Sequence, residues 1–160
     1  MVEQRISNNV KIHPTVAIDL FENSGIIILK DNVEIRQNCI IRPQGGLIEI
    51  GKNTIINYYC IFHGLGNIVI GSDCLIGPCV QIYAQNHGVK KELKINKQNN
   101  TGKGIYIGHD VWLGASSIIL DGSFLANGTV VGAGSVVTGK STKAYEIWAG
   151  NPAKKIGERL

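Results

Sequence analysis

Aromatic residues are scarce in this chain of 160 residues, at 6%. So thin a set offers no stacking platform for single-stranded nucleic acid. The basic residues behind the net charge of +4 form no dense block, so the electrostatic footprint of a nucleic-acid binder is missing too. No apolar run approaches the roughly 20 residues that a membrane-spanning helix needs. The opening MVEQRISNNVKIHP lacks the basic-then-apolar order of a secretory signal, and a cytoplasmic protein is expected. Cys39, Cys60, Cys74 and Cys79 contain no CxxC pair or other metal spacing. They read as small buried hydrophobes in a reducing compartment. There is also no GxSxG elbow, no P-loop and no dinucleotide fingerprint.

What the chain has instead is glycine, 20 of them, and a period of six. From Ile107 to Thr142 it runs IGHDVW LGASSI ILDGSF LANGTV VGAGSV VTGKST without an insertion. Ile107, Leu113, Ile119, Leu125, Val131 and Val137 open the blocks; Val111, Ser117, Ser123, Thr129, Ser135 and Ser141 hold the fifth slot. Neither an amphipathic helix nor a lone strand repeats every six residues; a parallel β-helix does. Each block is a short strand and a turn, and three blocks close a triangular circuit. The first residue stacks inward, and the fifth faces a cramped corner that admits only small or β-branched side chains. Corners favour Gly, Asn and Asp. Backbones in successive coils pair about 4.8 Å apart, so the core is built by stacking.

Upstream the same period holds with breaks. Residues 1–11 are polar and read as an irregular cap, and Ile12 and Ile18 start a loose circuit with Val16 inside. DLFENSG then breaks the phase. Leu29, Ile35 and Ile41 lead blocks with Val33, Cys39 and Gly45 in the fifth slot; Ile50, Ile56 and Phe62 follow with Thr54, Cys60 and Gly66; Ile70, Ile76 and Ile82 follow with Cys74 and Val80. Extra residues near Gln44–Gly46 and in HGLGN fall at the ends of circuits. After Ile82 comes the one large interruption, a loop over 84–104 that carries Lys90, Lys91, Lys94, Lys97 and Lys103 against Glu92. Loops longer than about 12–15 residues are usually functional or disordered. The expected organisation is one domain over 1–160, with a cap at 1–11, a β-helix at 12–142 and a C-terminal segment at 143–160. Asn151 as N-cap and Pro152 as first helical residue predict a short helix there.

His87 stands at the mouth of the loop, in AQNHG. Imidazole titrates near neutrality and suits a general base; the plain alternative is a solvated loop histidine. His63 points outward and could line the same groove. His109 and His13 read as surface residues. His63, His87 and His109 lie 24 and 22 residues apart with no carboxylate at ligand spacing, which argues against zinc. Trp112 faces outward from its strand and would suit an interface or a flat ligand ring.

These blocks, the loop opening on AQNH, then IGHDVWLGASSIIL, VVGAGSVVT and WAGNPAKKI, together resemble the hexapeptide-repeat acyltransferases, in particular the galactoside, maltose and polysaccharide O-acetyltransferases. The resemblance covers about Leu29 to Ile156 and implies a left-handed parallel β-helix, a homotrimer, and acetyl-CoA as co-substrate with no metal. It implies that His87 is the catalytic base and that Asn57, with His63 and Asn86 beside the site, meets the acceptor. Trp112, Gly114, Ala115, Gly132, Ala133 and Thr138 would line the pantetheine channel, and Lys154 would lie near the nucleotide end of CoA. Relatives often carry Lys directly after the position of Thr138; here GKS follows, and Lys140 stands in. Direct transfer to a sugar hydroxyl follows, with backbone N–H groups of the Gly- and Ala-rich wall stabilising the oxyanion. With no second domain for a nucleotide-sugar precursor, a cell-surface polysaccharide or its precursor is the expected acceptor. The alternatives are acetylation of an amino sugar or of serine, a γ-type carbonic anhydrase, and a non-catalytic β-helix subunit.

Overall fold

The six-residue period becomes three columns. In the computed structural model, which describes residues 2–18 and 24–160, three parallel sheets run the length of the molecule. Along the first face Ile6, Leu29, Ile50, Ile70, Ile107 and Leu125 lie in register. The second face stacks Ile12, Ile35, Ile56, Ile76, Leu113, Val131 and Trp148. The third stacks Ile18, Ile41, Phe62, Ile82, Ile119 and Val137. From Leu29 to Val137 every one of these block-leading residues is buried. The result is a parallel solenoid of about seven turns.

The fifth slot has its own chemistry. Thr54 Oγ1 donates to Gly71 O at 2.9 Å, Cys39 Sγ to Asn57 O at 3.0 Å, Cys60 Sγ to Gly77 O at 3.2 Å and Cys74 Sγ to Gly108 O at 3.1 Å. A hydroxyl or thiol there is buried but bonded to the backbone of the coil above, so it stabilises the stack where a bare polar group would cost about 1–3 kcal/mol. One residue earlier the chain turns through the left-handed region, at Asn32 (φ 59°), Asn53 (φ 57°), Asp73 (φ 61°) and Asp110 (φ 54°), and at Gly122, Gly128 and Gly134 in the upper coils. On one corner the amides also form a ladder: Asn9 Nδ2 donates to Asn32 Oδ1 at 2.5 Å, Asn32 Nδ2 to Asn53 Oδ1 at 3.0 Å and Asn53 Nδ2 to Asp73 Oδ1 at 2.8 Å.

Several expectations change. Residues within the proposed cap form a strand, Glu3–Ile6, that pairs in parallel with Ile26–Leu29. The open sheet edge offers backbone partners that outweigh the segment's polarity. The phase break DLFENSG lies mostly at residues 19–23, outside the described residues. Gly45 is exposed, because the extra residues begin at Pro43 and lift it off the corner. Ser141 is exposed and Thr142 buried; the last circuit is one residue short, so Thr142 takes the inward place and bonds Thr129 Oγ1 at 2.7 Å.

No helix forms at the C-terminus. Glu146–Gly150 adds to the second face beside Val130–Val131, and Ala153–Glu158 turns back antiparallel on it. Asn151 and Pro152 serve as hairpin turn residues, a role open to both types, because an unpaired strand edge was waiting. Glu146 falls in the fifth slot of this final coil and is buried. Its Oε2 accepts from Lys143 N at 2.8 Å and Trp148 Nε1 at 2.9 Å, and Lys155 Nζ lies 3.3 Å from Oε1.

Candidate active site

Every break in the period leaves the coil at the same corner, between the third and first faces. Residues 43–46 and 64–67 bulge there, and 84–104 departs there. The loop leaves from a rigid base: Ala84 is buried, and its N–H donates to His63 O at 2.8 Å. Asn86–His87 then pairs antiparallel with Asn100–Thr101, His87 opposite Asn100. His87 is exposed and lines a shallow cavity with Gly88, Leu93, Lys97, Gln98 and Thr101. The tip is pinned by Gln98, whose side chain accepts from Lys90 N at 2.8 Å and donates to Lys90 O at 2.9 Å and Leu93 O at 3.0 Å. Lys90, Lys91, Lys94 and Lys97 are all exposed, which gives the loop a positive surface.

His63 lies below, in register between Arg42 and Tyr83 on the third face. Its Nδ1 is 3.2 Å from Gln85 Nε2, and its ring meets Tyr83 edge-on at 6.3 Å. Asn86 is exposed and donates through Nδ2 to Asp121 Oδ2 at 3.0 Å. His63, Gln85, Asn86 and His87 therefore follow one another along one limb of one corner.

The other predicted residues lie elsewhere. Asn57 is at the corner between the second and third faces, where Arg36 Nη1 donates to its Oδ1 at 2.6 Å and its own Nδ2 donates to Ile76 O at 2.9 Å. Gly114 and Ala115, and one coil higher Gly132 and Ala133, line that same corner. A Cβ on Gly114 would stand 2.5 Å from Ala133 N, and one on Gly132 would stand 3.1 Å from Ala149 Cβ. Lys154 is exposed and pairs opposite Ala149, beside this wall. Trp112 is 51% exposed on the second face, between Leu75 and Val130. Thr138 ends the third face, and Lys140 sits at the His87 corner, its carbonyl accepting from Phe124 N at 2.9 Å. The predicted cofactor wall and His87 thus occupy opposite edges of the third face of one chain. The N–H groups of Gly114 and Gly132 donate to Val131 O at 2.7 Å and Trp148 O at 2.8 Å, so these two are spent on the ladder and not free for an oxyanion.

The histidines proposed against zinc are likewise separated. His109 lies between the first and second faces, its Nδ1 accepting from Ser72 N at 2.9 Å. Among the described residues no three His, Cys, Asp or Glu gather as metal ligands. Burial pushes the Cys74 thiol up to about 11, and raises that of Cys60, whose Cys39 neighbour adds to the rise.

Two functional-looking side chains escape the sequence reading, Asp121 and Gln98. Asp121 precedes Gly122, and an Asp-Gly pair reads simply as a turn. Gln98 has no periodic signal at all, since it lies within the loop.

No family model matches the chain. The galactoside O-acetyltransferase of Escherichia coli (strain K12) is 33% identical over 129 residues, which is 78% of this chain and 63% of that protein. The galactoside O-acetyltransferase of Lactococcus lactis (strain IL1403) is 32% identical over 111 residues, 66% of this chain and 53% of that protein. The chain spans about half to three-fifths of the length of the curated relatives it matches. Among solved structures, AntD, an N-acyltransferase from Bacillus cereus in complex with dTDP and coenzyme A, superposes with a TM-score of 0.80 at 25% identity, covering 99% of this chain and 83% of that one. A maltose O-acetyltransferase from Clostridium difficile 630 superposes with a TM-score of 0.66 at 29% identity, covering 92% and 68%. A coil of opposite hand does not superpose, so this coil shares the left hand of its solved neighbours.

Proposed function

This chain belongs with the hexapeptide-repeat acyltransferases in sequence and fold, and we propose that it is an acetyl-CoA-dependent O-acetyltransferase acting on a sugar hydroxyl. The observation that carries this reading is the imidazole of His87, exposed on a short paired ribbon at the one corner where the solenoid opens into a long loop. His87 takes the proton of the acceptor hydroxyl as that oxygen attacks the thioester carbonyl. A tetrahedral intermediate forms, the carbon–sulfur bond breaks, and the thiolate recovers the proton from the imidazolium. The acetyl ester and free CoA leave. Asn57, His63 and Asn86 hold the acceptor; since Asn86 Nδ2 is bound to Asp121, Asn86 serves through its carbonyl oxygen.

Trp112, Gly114, Ala115, Gly132, Ala133 and Thr138 form the pantetheine channel, with Lys154 and Lys140 toward the phosphates. Because wall and base stand at opposite edges of one face, a complete site takes the wall from one subunit and His87 from its neighbour in a homotrimer. We place the acceptor in cell-surface polysaccharide biosynthesis and the enzyme in the cytoplasm. A second reading, acetylation of a sugar amine, is favoured by the superposition on AntD over 99% of this chain. The test is acetyl-CoA turnover across sugars, amino sugars and serine, followed by released thiol. Product cleaved by alkaline hydroxylamine is an ester and supports O-transfer; resistant product supports the amine; no thiol release with any acceptor overturns both.

A further inference from the structure

The long loop is shaped by its own bonds, but its attachment to the coil converges on one carboxylate. Asp121 belongs to the next coil, just after Ile118–Leu120. Its Oδ2 accepts the side-chain N–H of Asn86 at 3.0 Å. Its Oδ1 accepts the backbone N–H of Lys103 at 2.8 Å and that of Gly104 at 2.9 Å, and Oδ2 takes Lys103 N as well at 3.0 Å. Beside it, Gly122 N donates to Gly104 O at 2.9 Å. The outgoing limb, one residue before His87, and the returning limb therefore meet on a side chain that is not part of the loop.

The other ties act differently. The ribbon pairing of His87 with Asn100 and the Gln98 bonds at the tip join the loop to itself. They keep its form but not its angle to the coil. Gly102 packs its backbone against the coil, where a Cβ would lie 2.4 Å from Gly66 N; that seats one limb only. Hydrogen bonds to an ionised acceptor are about twice as strong as neutral ones, so Asp121 outweighs each of its neutral neighbours.

We infer that Asp121 is the positioning residue for His87, fixing the imidazole against the coil by locking Asn86 to Lys103 and Gly104. The inference rests on the reading of His87 as the base. Asp121 meets no reacting atom; it acts through Asn86 and the loop backbone. A displacement of about 1 Å at a reacting group can cost about 10²-fold in rate, which sets the scale of the effect.

The test compares Asp121→Ala and Asp121→Asn with the full-length protein, by steady-state kinetics with acetyl-CoA and the best acceptor and by amide hydrogen exchange. Asn keeps an acceptor for the backbone N–H groups and can pair with Asn86 after an amide flip. Asp121→Ala is expected to lower kcat by about 10–10²-fold, with KM for acetyl-CoA within about twofold, and Asp121→Asn to recover most of the loss. Exchange at Lys103 and Gly104 should rise about tenfold or more while the strand amides stay protected. Full kcat in Asp121→Ala overturns the inference. So does a loss of kcat that travels with lowered protection throughout the coil, or one that Asp121→Asn fails to recover. If the unaltered protein turns over no acceptor, the acyl-transfer reading falls by itself. Exchange then decides the tie: a rise confined to Lys103 and Gly104 upholds it, and no change removes it.

Discussion

His87 is the residue on which the chemistry turns, and its surroundings make a sharp expectation possible. It is exposed, carried by backbone pairing, and distant from the Gly114–Ala133 wall of the same chain. His87→Ala should therefore lower kcat by about 10²–10⁴-fold, the usual share of a general base, while CoA affinity measured by calorimetry stays within about twofold. The cysteines provide a second check at this scale. Cys39, Cys60 and Cys74 are buried and free, whereas Cys79 is exposed. Burial holds the Cys74 thiol at about 11, so it stays protonated and unreactive at neutral pH. A maleimide should label Cys79 alone in the native protein and all four thiols after denaturation. In direct transfer no thiol carries the acetyl group, so Cys79→Ser should keep full turnover; loss of activity would point to an acyl-enzyme.

At the scale of elements, the fifth-slot bonds and the C-terminal hairpin are the parts to perturb. Thr54→Val keeps the shape but removes the bond to Gly71 O, and should cost about 1–3 kcal/mol in denaturant unfolding, since the carbonyl loses a buried partner. In the hairpin, the Lys143 N–H first, then the Trp148 indole and Lys155, hold the Glu146 carboxyl below its usual range. A carboxyl depressed in the folded state adds stability above its unfolded value, near pH 4.3 for Glu as an approximate reference. That stability is lost as pH falls through the lower folded value. The gap in melting temperature between the unaltered protein and Glu146→Gln should be widest at neutral pH and close as the solution is acidified below that range. A gap independent of pH would mean that the carboxylate's charge contributes nothing. The hairpin also shows where local reading fails. Asn151-Pro152 fits a helix start and a hairpin turn equally well, and only the edge of Val130–Val131, far back in the sequence, selects the turn.

For the whole molecule the expectation is shared sites. Mixing His87→Ala chains with Ala133→Trp chains, each inactive alone, should restore about one quarter of the activity if subunits assort at random. A contact between neighbours in a closed ring draws its two halves from different chains. No recovery after reassembly would mean that each site lies within one chain. The left-handed turn positions and inward columns were readable beforehand, because a period of six forces each residue type into one environment per coil. Thus Leu29 through Val137 reach their assigned faces despite three insertions. The amino-acid order alone determined the solenoid, its core, the loop and His87 as candidate base, since all of these follow from spacing and residue chemistry within a few dozen positions. The tertiary structure alone decided that Asp121 ties the two limbs of that loop, that Asn57 and the glycine wall face away from His87, and that the chain ends in a strand. Those facts depend on which coil lies above which, and hydrogen bonds between groups so far apart in the chain leave no periodic trace in it.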